Sequence, residues 1–154
     1  MAFKVNVDIK KEFDVSADCD KVFDLLANVP ESVSHFPKVD QLVDIGDNCF
    51  RWEMEKLGVK NYYIQTVYAC KYASDKDSGS ITWEPVKDVG NAEIEGAWKI
   101  SKQGDQTHVE LHTKGLMTLP FPSLAKMVVA PFAKREFETM VNQYIENLKK
   151  TFNG

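Results

Sequence analysis

Several common signatures are missing from this sequence of 154 residues, and each absence removes a class of protein. No stretch approaches the ~20 consecutive apolar residues of a membrane-spanning helix. Arginine is scarce: only Arg51 and Arg135 stand among the 19 basic residues. Surfaces that track phosphates cluster Arg and Lys. Here Asp and Glu are interleaved with the lysines and the formal net charge is −4, which argues against nucleic-acid binding. Only three cysteines occur, Cys19, Cys49 and Cys70, odd in number and far apart, so neither a disulfide framework nor a Cys-rich metal site is expected. They read as free thiols. The first fifteen residues alternate rather than form an apolar run, so no signal peptide is expected and a cytoplasmic protein is the default. No nucleophile elbow, phosphate loop, zinc spacing or dinucleotide fingerprint appears, which counts against hydrolase, kinase and dehydrogenase chemistry. No cofactor is implied. Repeats, linkers and low-complexity tracts are also missing, so the whole chain, 1–154, reads as one domain.

What is present is strongly patterned. Phe3, Val5, Val7 and Ile9 alternate with polar residues, which predicts a strand with one buried face. Phe13 and Val15 keep that phase, but Lys11 would then point inward, so a bulge near 10–12 is expected. Ser16 reads as the N-cap of a helix carrying Val22, Phe23, Leu25 and Leu26, with Asp18 and Asp20 in its first turn. A second short helix over about 30–36 stops before Pro37. Six strands follow, over 39–45, 49–57, 62–72, 80–86, 92–100 and 106–113, divided by turn signals and expected to form antiparallel meanders. Residues 122–152 form a long helix with Pro131 inside it. Leu124, Met127, Val128, Pro131 and Phe132 centre on one direction, and the apolar residues from Phe137 to Phe152 on another. The distal half is therefore expected to pack on the sheet and the proximal half to cover something else.

A seven-stranded antiparallel sheet must bury one face, and only the C-terminal helix is long enough to cover it. A helix ~10–12 Å across cannot fill a strongly curved sheet of that width. The remainder is filled by large side chains or left as a cavity. The predicted class is α+β, a curved sheet wrapped around a long kinked helix, with two short helices between the first and second strands.

Several stretches carry a more specific likeness. These are Glu12-Phe13-Asp14-Val15-Ser16-Ala17 leading into Val22-Phe23, then Val29-Pro30-Glu31 and Phe36-Pro37-Lys38-Val39. Farther on come Ile81-Thr82-Trp83-Glu84, Glu95-Gly96-Ala97-Trp98, Thr107-His108-Val109 and Ala130-Pro131-Phe132. Through these, over nearly its whole length, the chain resembles the START-like helix-grip superfamily. That superfamily takes in birch-pollen-allergen-like, polyketide cyclase/dehydrase-like and coenzyme Q-binding proteins. The resemblance implies a fold and a cavity but no single activity, because members bind lipids, quinones, hormones or polyketides and some are catalytic.

The partner expected is therefore a hydrophobic small molecule: a lipid, an isoprenoid quinone or a polycyclic compound. Trp52, Met54, Ile64, Trp83 and Trp98 fall on the apolar phase of their strands and are expected to line the cavity. Phe36 would flank it, and Leu124, Val128 and Phe132 would close it from the helix. The segment 116–121, with Leu116 and Phe121, is unusually apolar for a connection. It is expected to form a lip that touches a membrane or donor protein. A second reading is an aromatase/cyclase using His35, Tyr62, Tyr68 or Arg135 as acid, base or orienting group. Lys134, like Arg135, follows the kink and is placed to project toward the sheet, as Glu53 or Gln65 would be if their strands bulge. A third reading is a protein-interaction module with a collapsed cavity. His108, Glu110 and His112 share one strand face, but i and i+4 on a strand lie ~13 Å apart, so no metal site is expected there.

Overall fold

In the computed structural model, which describes residues 2–154, the alternation that opens the sequence becomes a strand, β1 (Phe3–Val15). Its odd-numbered residues face inward up to Ile9, and Val15 is fully buried. The expected bulge is missing: β1 pairs without a break from Phe3↔Leu119 to Val15↔Thr107. Lys11 keeps the inward phase because its long stem can lie along apolar surface while its ammonium reaches Glu138 of the C-terminal helix at 3.5 Å.

The chain then crosses to the far edge of the sheet through α1 (Cys19–Ala27) and α2 (Val29–Val33). Asp18, not Ser16, caps α1, its side chain accepting from the Lys21 amide at 2.8 Å. Ser16 instead donates its backbone N–H to Asn153 Oδ1 at 2.8 Å, tying the strand exit to the end of the long helix. Asn28 ends α1 and caps α2, which is shorter than expected because Ser34 closes it with a bond from its amide to the Pro30 carbonyl.

The strands that follow are β2 (Val39–Gly46), β3 (Cys49–Met54), β4 (Leu57–Val59), β5 (Tyr62–Ile64), β6 (Val67–Asp75), β7 (Ser80–Pro85), β8 (Ala92–Gln103) and β9 (Gln106–Leu119). Seven of them form one antiparallel sheet in the order β1-β9-β8-β7-β6-β3-β2, while β4 and β5 pair only with each other. The single strand expected over 62–72 is thus two, broken at Gln65–Thr66. The Asn91 side chain staples the break, donating to the Gln65 carbonyl at 2.8 Å and accepting from the Val67 amide at 2.9 Å.

A 3₁₀ turn, Ser123–Ala125, leads into α3 (Lys126–Asn153), which crosses the concave face of the sheet. Its buried side chains form one stripe from Val129 and Ala133 through Met140, Val141 and Tyr144 to Leu148 and Phe152. Of the proximal residues expected to cover something else, Leu124 and Met127 are 85% and 82% exposed, while Val128 and Phe132 are half-buried. Because α3 is continuous, its longer distal stripe fixes the side that meets the sheet and leaves Met127 on the outer side. Pro131 sits inside α3 on its exposed side, where the lost hydrogen bond is accessible to water. Among the described residues no helix is long and apolar enough to cross a membrane.

Candidate ligand-binding site

The concave face of β3 and β6–β9, the bundle of α1 and α2, and the middle of α3 enclose a cavity of about 60 Å³. Its walls are mostly aromatic. Trp52 stacks on Tyr68 at 5.4 Å between ring centres, and Phe36 meets Trp52 edge-on at the same distance. Phe36 also packs on Tyr144 at 4.9 Å, and Trp83 lies 6.4 Å from Trp98. These spacings are those of favourable aromatic pairs, so the rings brace one another as well as line the space.

Polar atoms are few, and the side chains of Ser32, Trp52, Cys70, Tyr72, Thr113 and Tyr144 have hydrogen-bond partners. Ser32 Oγ on α2 is hydrogen-bonded to Tyr144 OH on α3, in a buried setting. Trp52 donates its indole N–H to Tyr72 OH at 3.0 Å, and the Cys70 thiol donates to the Ile94 carbonyl at 3.3 Å. Among the described residues no buried side-chain nitrogen or oxygen lacks a hydrogen bond. Burial raises the pKa of Tyr68, Tyr72 and Tyr144 and pushes the Cys70 thiol up to about 12. All four therefore stay protonated near neutrality. They are hydrogen-bond donors, not bases.

A smaller cavity of about 30 Å³ lies toward the N-terminal half of α3, under the β4–β5 hairpin. It is lined by Met54, Ile64, Met117, Phe132, Ala133 and Met140 among others. Tyr68, Ile94 and Phe137 line both cavities, so these three side chains form the partition between them. At its rim Glu136 pairs with Lys38 at 3.1 Å, tying α3 to the loop before β2.

The expected residues divide sharply. Phe36, Trp52, Tyr68, Trp83 and Trp98 come together around the larger cavity, and Met54, Ile64 and Phe132 around the smaller one. The others line neither. Leu116 is part of β9 and half-buried on its outer side, so residues 116–119 are strand and not a lip. Phe121 is wedged against Tyr62 at 5.1 Å and Phe3 at 6.4 Å, outside both spaces. Leu124 faces water, Val128 is half-buried beside it, and Arg135 and Lys134 are exposed. His35 is held away from the lumen. Its Nδ1–H donates to the Glu31 carbonyl at 2.9 Å, and Nε2 takes the Thr151 hydroxyl at 2.9 Å. Glu53 pairs with Arg51 at 2.8 Å, and Gln65 donates to the Met54 carbonyl at 3.2 Å.

Sequence reading missed Ser32, Tyr72, Cys70, Phe137 and Tyr144 as cavity residues. Tyr144 and Phe137 were visible only as members of an apolar helical stripe, and Ser32 as a polar residue in a short helix. One further signal was available at Gly96. A Cβ there would fall 2.6 Å from Trp83 Cζ2, so the glycine is what lets the indole lie flat against β8. Trp83 and Tyr72 also line a groove on the outer face, so the wall is one side chain thick at this point.

On that outer face His108 and His112 bond Asp14 and Asp8 across to β1 at 2.7 and 2.8 Å. The close donor group there is Glu12, His108 and Glu110, whose ligand atoms lie within 4.8 Å of one another. It spans two strands, which a reading of one strand could not reveal.

No protein-family model and no curated protein matches the chain in sequence. Solved structures do match in shape. A START superfamily protein from Mycobacterium smegmatis superimposes with a TM-score of 0.68 at 13% identity, over 94% of this chain and 96% of that one. A conserved protein from Geobacillus kaustophilus gives 0.67 at 11% identity, over 96% and 95%. The aromatase/cyclase Zhui from Streptomyces sp. R1128 gives 0.60 at 14% identity, over 94% and 90%. At such identities the likeness is one of architecture: the chain has the START-like helix-grip fold.

Proposed function

We propose that this protein binds a hydrophobic small molecule between the sheet and α3, as a carrier or sensor rather than as an enzyme. One observation carries the reading. The larger cavity is walled by aromatic and aliphatic side chains and has a single buried hydroxyl pair, Ser32 with Tyr144, where two helices meet. Two hydroxyls hold two protons and use one between them, so one O–H remains for a ligand oxygen. At about 60 Å³ the space holds a few water molecules, so a larger guest must displace side chains. Phe36 and Phe137 line it from outside the sheet and are only half-buried, so they are the side chains we expect to give way.

The solved aromatase/cyclase on the same fold motivates the second reading, a cyclase. Among the described residues, however, no His, Lys, Arg, Asp or Glu lines the larger cavity, and its tyrosines are held neutral by burial. General acid–base chemistry works best with a group that titrates near the working pH. The wall therefore favours binding over catalysis. A cytoplasmic setting goes with this reading, because reducing compartments preserve free thiols such as Cys19, Cys49 and Cys70.

The test is native mass spectrometry of freshly purified protein, with extraction of whatever co-purifies and a thermal-shift screen of lipids, quinones and polycyclic phenols. A bound apolar species that a Tyr144→Phe variant holds more weakly is the expected result. No co-purifying molecule and no shift across the whole panel would refute the proposal.

A further inference from the structure

The two internal cavities differ in chemistry, and only three side chains separate them. The larger has flat aromatic walls and the one hydroxyl pair with a proton to spare. Its neighbour has no comparable pair and is rich in methionine, with Met54, Met117 and Met140 in its wall. Unbranched thioether side chains fill irregular gaps and re-pack readily, so they suit an apolar guest of variable shape. Of the three partition residues, Tyr68 and Ile94 are buried on strands, each 5% exposed, and fixed by the sheet. Phe137 is half-buried on α3, packed between the two halves of the core and not held in the sheet.

From this arrangement we infer that the two cavities are one interrupted site, and that Phe137 sets how long a ligand it accepts. The inference rests on the binding function proposed above and names its ligand class. That class is an amphiphile with an aromatic head bearing one hydroxyl or carbonyl oxygen, continued by an aliphatic tail. The head lies among Trp52, Tyr68 and Trp98, its oxygen against Ser32 and Tyr144. When the Phe137 ring swings away, the tail passes between α3 and Tyr68 into the methionine-lined space under the β4–β5 hairpin. Ala133, which lines only that second space, leaves the volume a tail occupies.

Calorimetric titration of the full chain with phenol, 4-butylphenol and 4-octylphenol tests this, read as the change in affinity with tail length. A fully buried methylene tightens binding about fourfold. Phe137→Ala, with Phe137→Leu as a milder variant, is expected to approach that slope, while the wild type shows a shallower one because its ring must move first. Ala133→Leu is expected to flatten the slope below that of the wild type. Circular dichroism establishes that each variant is folded. If phenol binds but tail length has the same effect in all four proteins, the two-cavity inference fails and the binding function stands. If no probe binds any of them, and nothing co-purifies with the protein, both fail.

Discussion

The hydroxyl pair between α2 and α3 is open to a double-mutant cycle whose outcome follows from its surroundings. Ser32 is 4% exposed and Tyr144 7%, and both face apolar side chains. Tyr144→Phe removes one hydroxyl and leaves Ser32 Oγ buried with its strongest partner gone, while Ser32→Ala does the reverse. Stranding a buried polar group costs about 1–3 kcal/mol, whereas replacing both partners by apolar groups is close to neutral. The expected coupling energy is therefore about 1–2 kcal/mol, with the double variant more stable than the two single losses together imply. Urea unfolding measures it. With m about 1–3 kcal/mol/M for small domains, each single substitution lowers the midpoint by roughly 0.5–1 M. Tryptophan fluorescence reports the transition directly, since Trp52, Trp83 and Trp98 all line the same space. Additive single effects, or single effects below about 0.3 kcal/mol, would refute the reasoning, because they would mean that water reaches both hydroxyls.

Gly96→Ala is expected to cost about 1–3 kcal/mol by overpacking, since the new Cβ meets Trp83 Cζ2 at 2.6 Å and the His112 carbonyl. A change in the near-ultraviolet circular dichroism should accompany the loss, and a variant within about 0.5 kcal/mol of wild type would contradict it. Alkaline stability is set by the buried acids. Cys70 is neutral in the folded chain up to about 12, whereas an unfolded thiol ionises near ~8.5. Its contribution is intact below ~8.5 and declines as the pH climbs toward the folded value, with the buried tyrosines adding to the fall above ~10. Urea midpoints followed against pH should therefore drop less steeply in Cys70→Ala than in wild type, and parallel curves would disprove the assignment. At the surface, the hydrogen bond that His108 donates to the Asp14 carboxylate raises the His108 pKa. The stabilisation is present below the ordinary ~6.5 and is lost as pH rises through the raised value. An NMR titration should find the His108 midpoint lower in Asp14→Asn, and an unmoved midpoint would exclude the pairing.

Much of the fold was readable because period-two alternation survives wherever a strand has one dry and one wet face. β1 and β9 keep that alternation over 13 and 14 residues. Two failures have local causes. The bulge expected at 10–12 rested on the cost of turning a lysine inward, a cost Lys11 avoids by reaching Glu138 on α3, 127 residues away. The break at Gln65–Thr66 depends on the Asn91 side chain, which mimics a ladder partner from 24 and 26 residues downstream. Neither event leaves a trace in the local residue pattern.

The site was less legible than the fold, and the reason is physical. A side chain that lines a cavity and one that fills a core obey the same rule, burial of apolar surface, and so carry the same pattern. The tryptophans could be assigned to the concave face from strand phase, but not to one cavity or the other. What distinguishes a lumen from a packed core is where opposing side chains are small or polar, and that is a property of pairs. Ser32 and Tyr144 are 112 residues apart and meet only because α1 and α2 carry the chain from one edge of the sheet to the other. Ala133 matters because Met54 and Ile64 stand opposite it across the smaller cavity. The proximal helix shows the converse error. Leu124 and Met127 are as apolar as any lining residue, yet they face water because the buried stripe of α3 fixes which side of the helix meets the sheet. Apolar character therefore located the layer in which a ligand would lie. Register between layers decides which residues touch it, and in this fold that register is set by the path of α1 and α2 across the sheet and by the face that α3 turns to it.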